Sequence, residues 1–178
     1  IYDRGIQREV INVGTGLVQE RHTSDFWVFE GIDKRDYAVS GTWGADGITY
    51  FWDVTDPAQI RKIDSIQVDA RTVNDVKVSE DGRISVLSRE GASSRRNGIV
   101  IVDSTNPYDV NIISEYTTNL TGGVHNVFIY QDHVFALSNG ERFYVINIED
   151  PKNPYEVGMF EIGEKGQAIH DVWIEDGI

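Results

Sequence analysis

Two histidines occupy matching places in two similar stretches, GVHNVFIYQDH (Gly123 to His133) and AIHDVWIEDG (Ala168 to Gly177). Imidazoles ligate metals and move protons near neutral pH, so His125 and His170 could share a metal ion with Asp171 or Glu164 as third ligand. A polar side chain that satisfies loop backbone groups would serve equally well there. Arg71, in the stretch DART, is expected on the same face, either touching a ligand or pairing with Asp69. A second kind of chemistry sits in SREGASSRRNG (Ser88 to Gly98), read as a long loop carrying Arg89, Arg95 and Arg96. Three guanidiniums on a loop could grip carboxylates or phosphates of a partner, or form a solvated insertion. The stretch GTWGADG places Trp43 at an expected loop tip, as a binding anchor or packed under its own loop.

Other chemistries lack their residues. The chain has no cysteine, hence no thiolate metal site, cysteine nucleophile or disulfide. It contains no GxSxG, no HExxH and no phosphate-binding loop. The acidic turns at Asp46-Gly47, Glu80-Asp81-Gly82 and Asp176-Gly177 lack the ligand spacing of a calcium loop. No catalytic residue, metal or cofactor is therefore assigned. Asn119-Leu120-Thr121 is a glycosylation sequon, meaningful only in a eukaryotic secretory protein. The net charge of −13 opposes binding to nucleic acid and adsorption to anionic lipid. No apolar run approaches the ~18 residues of a membrane helix, which argues against direct membrane insertion.

The elements that must position these residues repeat. SDFWVFEG, NDVKVSEDG, HNVFIYQDH and HDVWIEDG set Asp25, Asp75, Asn126 and Asp171 at spacings of 50, 51 and 45 residues. Between them lie GITYFWDVTDP, GIVIVDSTNP and RFYVINIEDP, which align Asp53, Asp103 and Asn147, and likewise Pro57, Pro107 and Pro151. Each period divides into four short alternating strands separated by Gly, Pro, Asn and Asp. Four-stranded units at such a period are the sequence form of a β-propeller, whereas a β-sandwich needs no fixed repeat.

The expected fold is therefore all-β, with blades over residues 24–70, 74–120 and 125–166. Two orphan strands flank them, at 6–14 (the last strand of a preceding blade) and 169–178 (the first of a following one). Three full blades plus two orphans read as part of a larger propeller. His125 and His170 share their repeat position with Ser24 and Asn74, which makes them a signature of the repeat. Trp27 and Trp173 are expected in the core.

The texts GIVIVD and FYVIN, each followed by a turn ending in proline (Pro107, Pro151), resemble LVIVD-repeat proteins, as does the H-[DN]-V opening. That family consists of β-propeller-like repeats in bacterial surface and secreted proteins, including the choice-of-anchor-B group. The resemblance covers about Ile6 to Ile178 and implies an extracytoplasmic, bacterial setting. The expected function is a non-catalytic protein-binding scaffold, an extrinsic subunit docked on a membrane complex through Arg89, Arg95, Arg96 and Trp43. The alternative is a hydrolase or lyase with a channel-mouth site around Arg71, His125 and His170.

Overall fold

The computed structural model describes residues 22–163 and 167–176; the strand expected at 6–14 lies outside them. Twelve strands form three antiparallel four-stranded sheets, and the described residues contain no helix. The first sheet runs β1 (His22–Glu30), β2 (Asp36–Trp43), β3 (Ile48–Asp53), β4 (Arg61–Gln67). The second runs β5 (Val76–Val78), β6 (Ile84–Arg89), β7 (Gly98–Asp103), β8 (Asn111–Tyr116). The third runs β9 (Val124–Tyr130), β10 (His133–Ser138), β11 (Arg142–Asn147), β12 (Tyr155–Glu161). Strands neighbour in space in the order in which they follow in sequence, as in propeller blades.

The recurring residues close recurring joints. The side-chain oxygens of Asp53, Asp103 and Asn147 each accept the N–H two residues on, from Thr55, Thr105 and Glu149. The next polar residue repeats the device: Asp56, Asn106 and Asp150 accept from Ala58, Tyr108 and Lys152. These Asx turns reverse the chain with local hydrogen bonds, which is why Asn and Asp stand there. Just before each turn the third strand slips register against the fourth, at Phe51/Trp52, Ile101/Val102 and Val145/Ile146. A bulge recurring in every blade is a built feature that twists the outer strand.

The alternating strands leave two apolar seams. Phe29, Tyr37, Val39 and Phe51 of the first blade pack on Val76, Leu87, Val100 and Val102 of the second. The opposite face of the second blade, with Val86, Ile99 and Ile101, packs on Val127, Val134, Ala136 and Ile146 of the third. A core-facing residue such as Leu87 or Ile101 stabilises its seam by about 1.5–3 kcal/mol relative to an exposed position.

Four expectations are corrected. Trp43 is not at a loop tip: it is the last residue of β2, paired with His22 of β1, because the ladder runs on to the end of GTW. Arg89 is not in a loop: it ends β6, paired with Gly98, and is 1 % exposed, because strand alternation turns it inward onto the first seam. Residues 167–176 carry no strand pairing among the described residues, and their one backbone bond to the blades is Ile169 N–H to Gly140 O. Trp173 is 67 % exposed, not buried, although its ring contacts others at the blade axis.

Candidate functional site

The first strands bring one repeat position, two residues after each Asp or Asn, to a common axis. It holds Trp27, Lys77, Phe128 and Trp173. Trp27 meets Phe128 edge-on at 6.5 Å and Trp173 at 6.3 Å, and Phe128 lies 4.9 Å from Trp173. The Lys77 ammonium sits 5.0 Å from the centre of the Trp27 ring, a cation–π contact.

Lys77 is an ammonium where the repeat otherwise has an aromatic, and it is held by two carboxylates. Its Nζ donates to Asp25 Oδ2 at 2.9 Å and to Asp75 Oδ1. The other Asp75 oxygen accepts Val127 N–H at 2.8 Å, joining the second blade to the third. Burial, reinforced by the Asp25 carboxyl, pushes Asp75 above its ordinary value. Burial also acts upward on Asp25, but hydrogen bonds from Asp75 and Lys77 bring it below the usual range. Burial opposes the Lys77 charge, and the two carboxylates more than offset it, so the ammonium stays protonated. This group is a charge staple; a lysine held this way is no nucleophile.

One turn outward lies the mouth with the histidines. His125 Nδ1 is 3.1 Å from Glu90 Oε1, and the His125 and His170 rings stand 5.1 Å apart, edge to face. Asn74 Nδ2 donates to His125 O at 2.9 Å and approaches its Nε2 at 3.4 Å. Ser24, the same repeat position one blade earlier, donates to Val73 O at 2.5 Å. Ser24 and Asn74 thus each fasten their blade to the next. Among the described residues no three His, Asp or Glu side chains are placed to hold a metal ion. What His125 and Glu90 form is a dyad in which the carboxylate orients the imidazole. Glu90 escaped the sequence reading because it lies 35 residues before its partner; Lys77 was legible as the one departure from aromatic at its position.

The mouth continues into a rim. Thr72 bridges Trp43 on one side and Glu90 on the other, so the end of β2 and the start of the β6–β7 loop meet across the link between blades. Trp43 is 51 % exposed and tilts against the His22 ring at 6.0 Å. The β6–β7 loop is fastened in place. Asp69 accepts N–H bonds from Ser93 and Ser94, at 2.7 and 3.1 Å, and these hold its carboxyl well below the usual range. Asn97 accepts from Ala92 N–H and donates to Thr121 O. Arg71 does not pair with Asp69. Its backbone N–H bonds to Glu90 O and Gly91 O, and its side chain lies against Gly91.

Charge pairing divides the described arginines into two sets. Arg35, Arg61, Arg83, Arg89 and Arg142 each have a carboxylate within 3.4 Å. The exposed guanidiniums of Arg71, Arg95 and Arg96 have no such partner among the described residues, in a chain of net charge −13. The structure thus gathers Trp43, Arg71, Arg95 and Arg96 on one rim beside His125 and His170, and removes Arg89 from it.

No family model matches the chain, and no curated protein matches it. Its fold is similar to solved propellers. A provisionally assigned 6-phosphogluconolactonase from Bacteroides fragilis aligns at TM-score 0.65 and 11 % identity, over 84 % of this chain and 40 % of that one. A second such protein, from Bacteroides uniformis, aligns at 0.64 and 14 %, over 80 % and 41 %. A hypothetical selenium-binding protein from Sulfolobus tokodaii aligns at 0.62 and 14 %, over 79 % and 39 %. The chain spans about two-fifths of the length of these structures. At such identities they establish the architecture, an all-β propeller of four-stranded blades, and nothing about chemistry.

Proposed function

We propose that this propeller is a non-catalytic protein-binding module that docks an acidic partner surface on its loop rim. The observation that carries the reading is the trio of exposed guanidiniums, Arg71, Arg95 and Arg96, without a carboxylate partner among the described residues, on segments that Thr72 ties to the exposed Trp43. Elsewhere the described arginines are consumed by carboxylates of the same chain. Leaving three of them free on rigid, hydrogen-bonded loops favours an external carboxylate-bearing surface, with the indole as apolar anchor. The setting we propose is extracytoplasmic, in the bacterial periplasm or at the cell surface, with the chain a membrane-extrinsic subunit of a larger complex. That part rests on the resemblance to LVIVD-repeat proteins. The test is native mass spectrometry of the tagged protein isolated from its own organism. The wild type should retain a partner that is released by salt and by the R71E/R95E/R96E variant at unchanged melting temperature. A partner held equally by that variant would overturn the reading.

The His125–Glu90 dyad favours a second reading, an extracytoplasmic hydrolase or lyase with its site at the channel mouth. A carboxylate-oriented imidazole can act as general base toward water attacking an ester or lactone. Hydrolysis of 6-phosphogluconolactone, the substrate in the names of two structural neighbours, is the direct assay. Turnover abolished by H125N in a folded protein would establish this reading; lactone consumed at the buffer rate would dismiss it for this substrate.

A further inference from the structure

Arg89 carries an unfilled binding edge inside the molecule. Its guanidinium is ion-paired through Nη1 to Glu115 Oε2 at 2.9 Å, while Nε and Nη2 are sealed from solvent with no acceptor. These two donors lie on the same side of the planar guanidinium and point in parallel, the fork that receives two oxygens of one carboxylate or phosphate. A buried charged donor without an acceptor is strongly unfavourable, and native proteins rarely leave one empty.

The fork faces the seam between the first and second blades. Leu87, two residues before Arg89 in β6, belongs to that seam's core, and so does Val100, which pairs with Glu115. A second orphan faces the same seam from the other side. Thr49 Oγ1 is fully buried and unpartnered, and Thr49 shares a strand face with Phe51 of that core. Arg89 ends β6 where the Asp69-held β6–β7 loop begins, and Thr49 stands near the start of β3, next to the β2–β3 connection.

We propose that this seam binds a small oxyanion, a carboxylate or phosphate group gripped side-on by Arg89 Nε and Nη2. A water molecule can accept from the fork but brings no charge; an oxyanion meets both donors with two oxygens and compensates the guanidinium charge, which the half-exposed Glu115 meets from one side only. The site is separate from the rim, whose arginines are exposed.

The experiment is a titration of the intact chain with acetate and with phosphate, at ionic strength balanced with chloride. The Arg89 Nε–H resonance and the melting temperature are followed together. The expected result is a saturable movement of that resonance with a parallel rise in melting temperature, for one oxyanion or both, and none for chloride. Acetate alone would identify a carboxylate ligand and phosphate alone a phosphate ligand. R89K keeps the charge but loses the fork, and should weaken binding about tenfold or more. If R89K does not fold, the wild-type titration decides. A resonance that neither oxyanion moves saturably, or that chloride moves equally, overturns the proposal and leaves the fork to internal water.

Discussion

Tyr108 reaches out of the second blade and donates its hydroxyl proton to Asp53 of the first, 2.9 Å away. Asp53 is 3 % exposed and also receives Arg35 at 2.6 Å and Arg61 at 3.2 Å. Tyr108 follows Asn106-Pro107 in the recurrent turn, so a device that closes one blade also locks it to its neighbour.

That lock should fail in acid. Burial acts to raise the Asp53 carboxyl, but hydrogen bonds from Thr55 and Tyr108 and the Arg35 charge bring it from 3.8 down to about 2. Folding thus favours the ionised form. The contribution is complete above about pH 4 and is lost as pH falls from about 4 to about 2. Urea denaturation across this range should show D53N less stable than wild type at pH 6, by about 2 kcal/mol, with the gap narrowing steadily and mostly gone at about pH 2. A gap independent of pH would mean that Asp53 acts by shape alone.

The axial staple predicts a rescue. Replacing Lys77 by methionine strands the buried Asp75 carboxylate and should cost about 3–5 kcal/mol. The third blade carries Asn126 and Phe128 where the second carries Asp75 and Lys77. The double variant D75N/K77F copies that pair, and by calorimetry should recover most of the K77M loss. A double variant as unstable as K77M would refute the equivalence of the two positions.

Gly98 should not tolerate a side chain. Its φ is +150°, and a Cβ there would lie 2.1 Å from the Tyr116 carbonyl oxygen, a backbone atom that cannot step aside. G98A is expected to destabilise by about 2 kcal/mol or more, whereas R95A and R96A should stay within about 0.5 kcal/mol. Equilibrium unfolding of the three variants checks both statements.

Removing the Asp69 carboxylate should free the β6–β7 loop without unfolding the blades. Limited trypsin digestion of D69A should cut after Arg95 or Arg96 roughly tenfold faster than in wild type, with little change in melting temperature. Equal cleavage rates would show that Asn97 alone fixes the loop.

The sequence made the blades legible because their joints are local. Asp53, Asp103 and Asn147 bond to the second residue on, and Pro107 and Pro151 sit beside those turns, so the pattern survives without tertiary knowledge. The fate of Arg89 was not legible. In SREGASSRRNG its neighbours are loop-like, and only β6 running one residue further turns it inward toward Glu115, 26 positions away. The His125–Glu90 dyad and the Asp25–Lys77–Asp75 staple were hidden for the same reason: each joins residues of adjacent blades. Arg95 and Arg96 could be placed on a loop from its turn residues, but their lack of a carboxylate partner among the described residues is a property of the whole surface, and the pairing of Trp43 with His22 at the end of β2 was not legible.

The fastenings made at the first strands point one way along the chain, whereas Tyr108 reaches back at the outer turn. Ser24 bonds forward to Val73, Asn74 to His125, Asp25 to Lys77 and Asp75 to Val127. Each blade thus presents one kind of surface ahead and its complement behind, like a coupling on railway carriages. A duplicated blade inserted between two others would meet a compatible joint on both sides. Gene duplication could therefore lengthen such a chain one blade at a time without redesigning any contact. Change would then concentrate where no joint is made, on the loop rim.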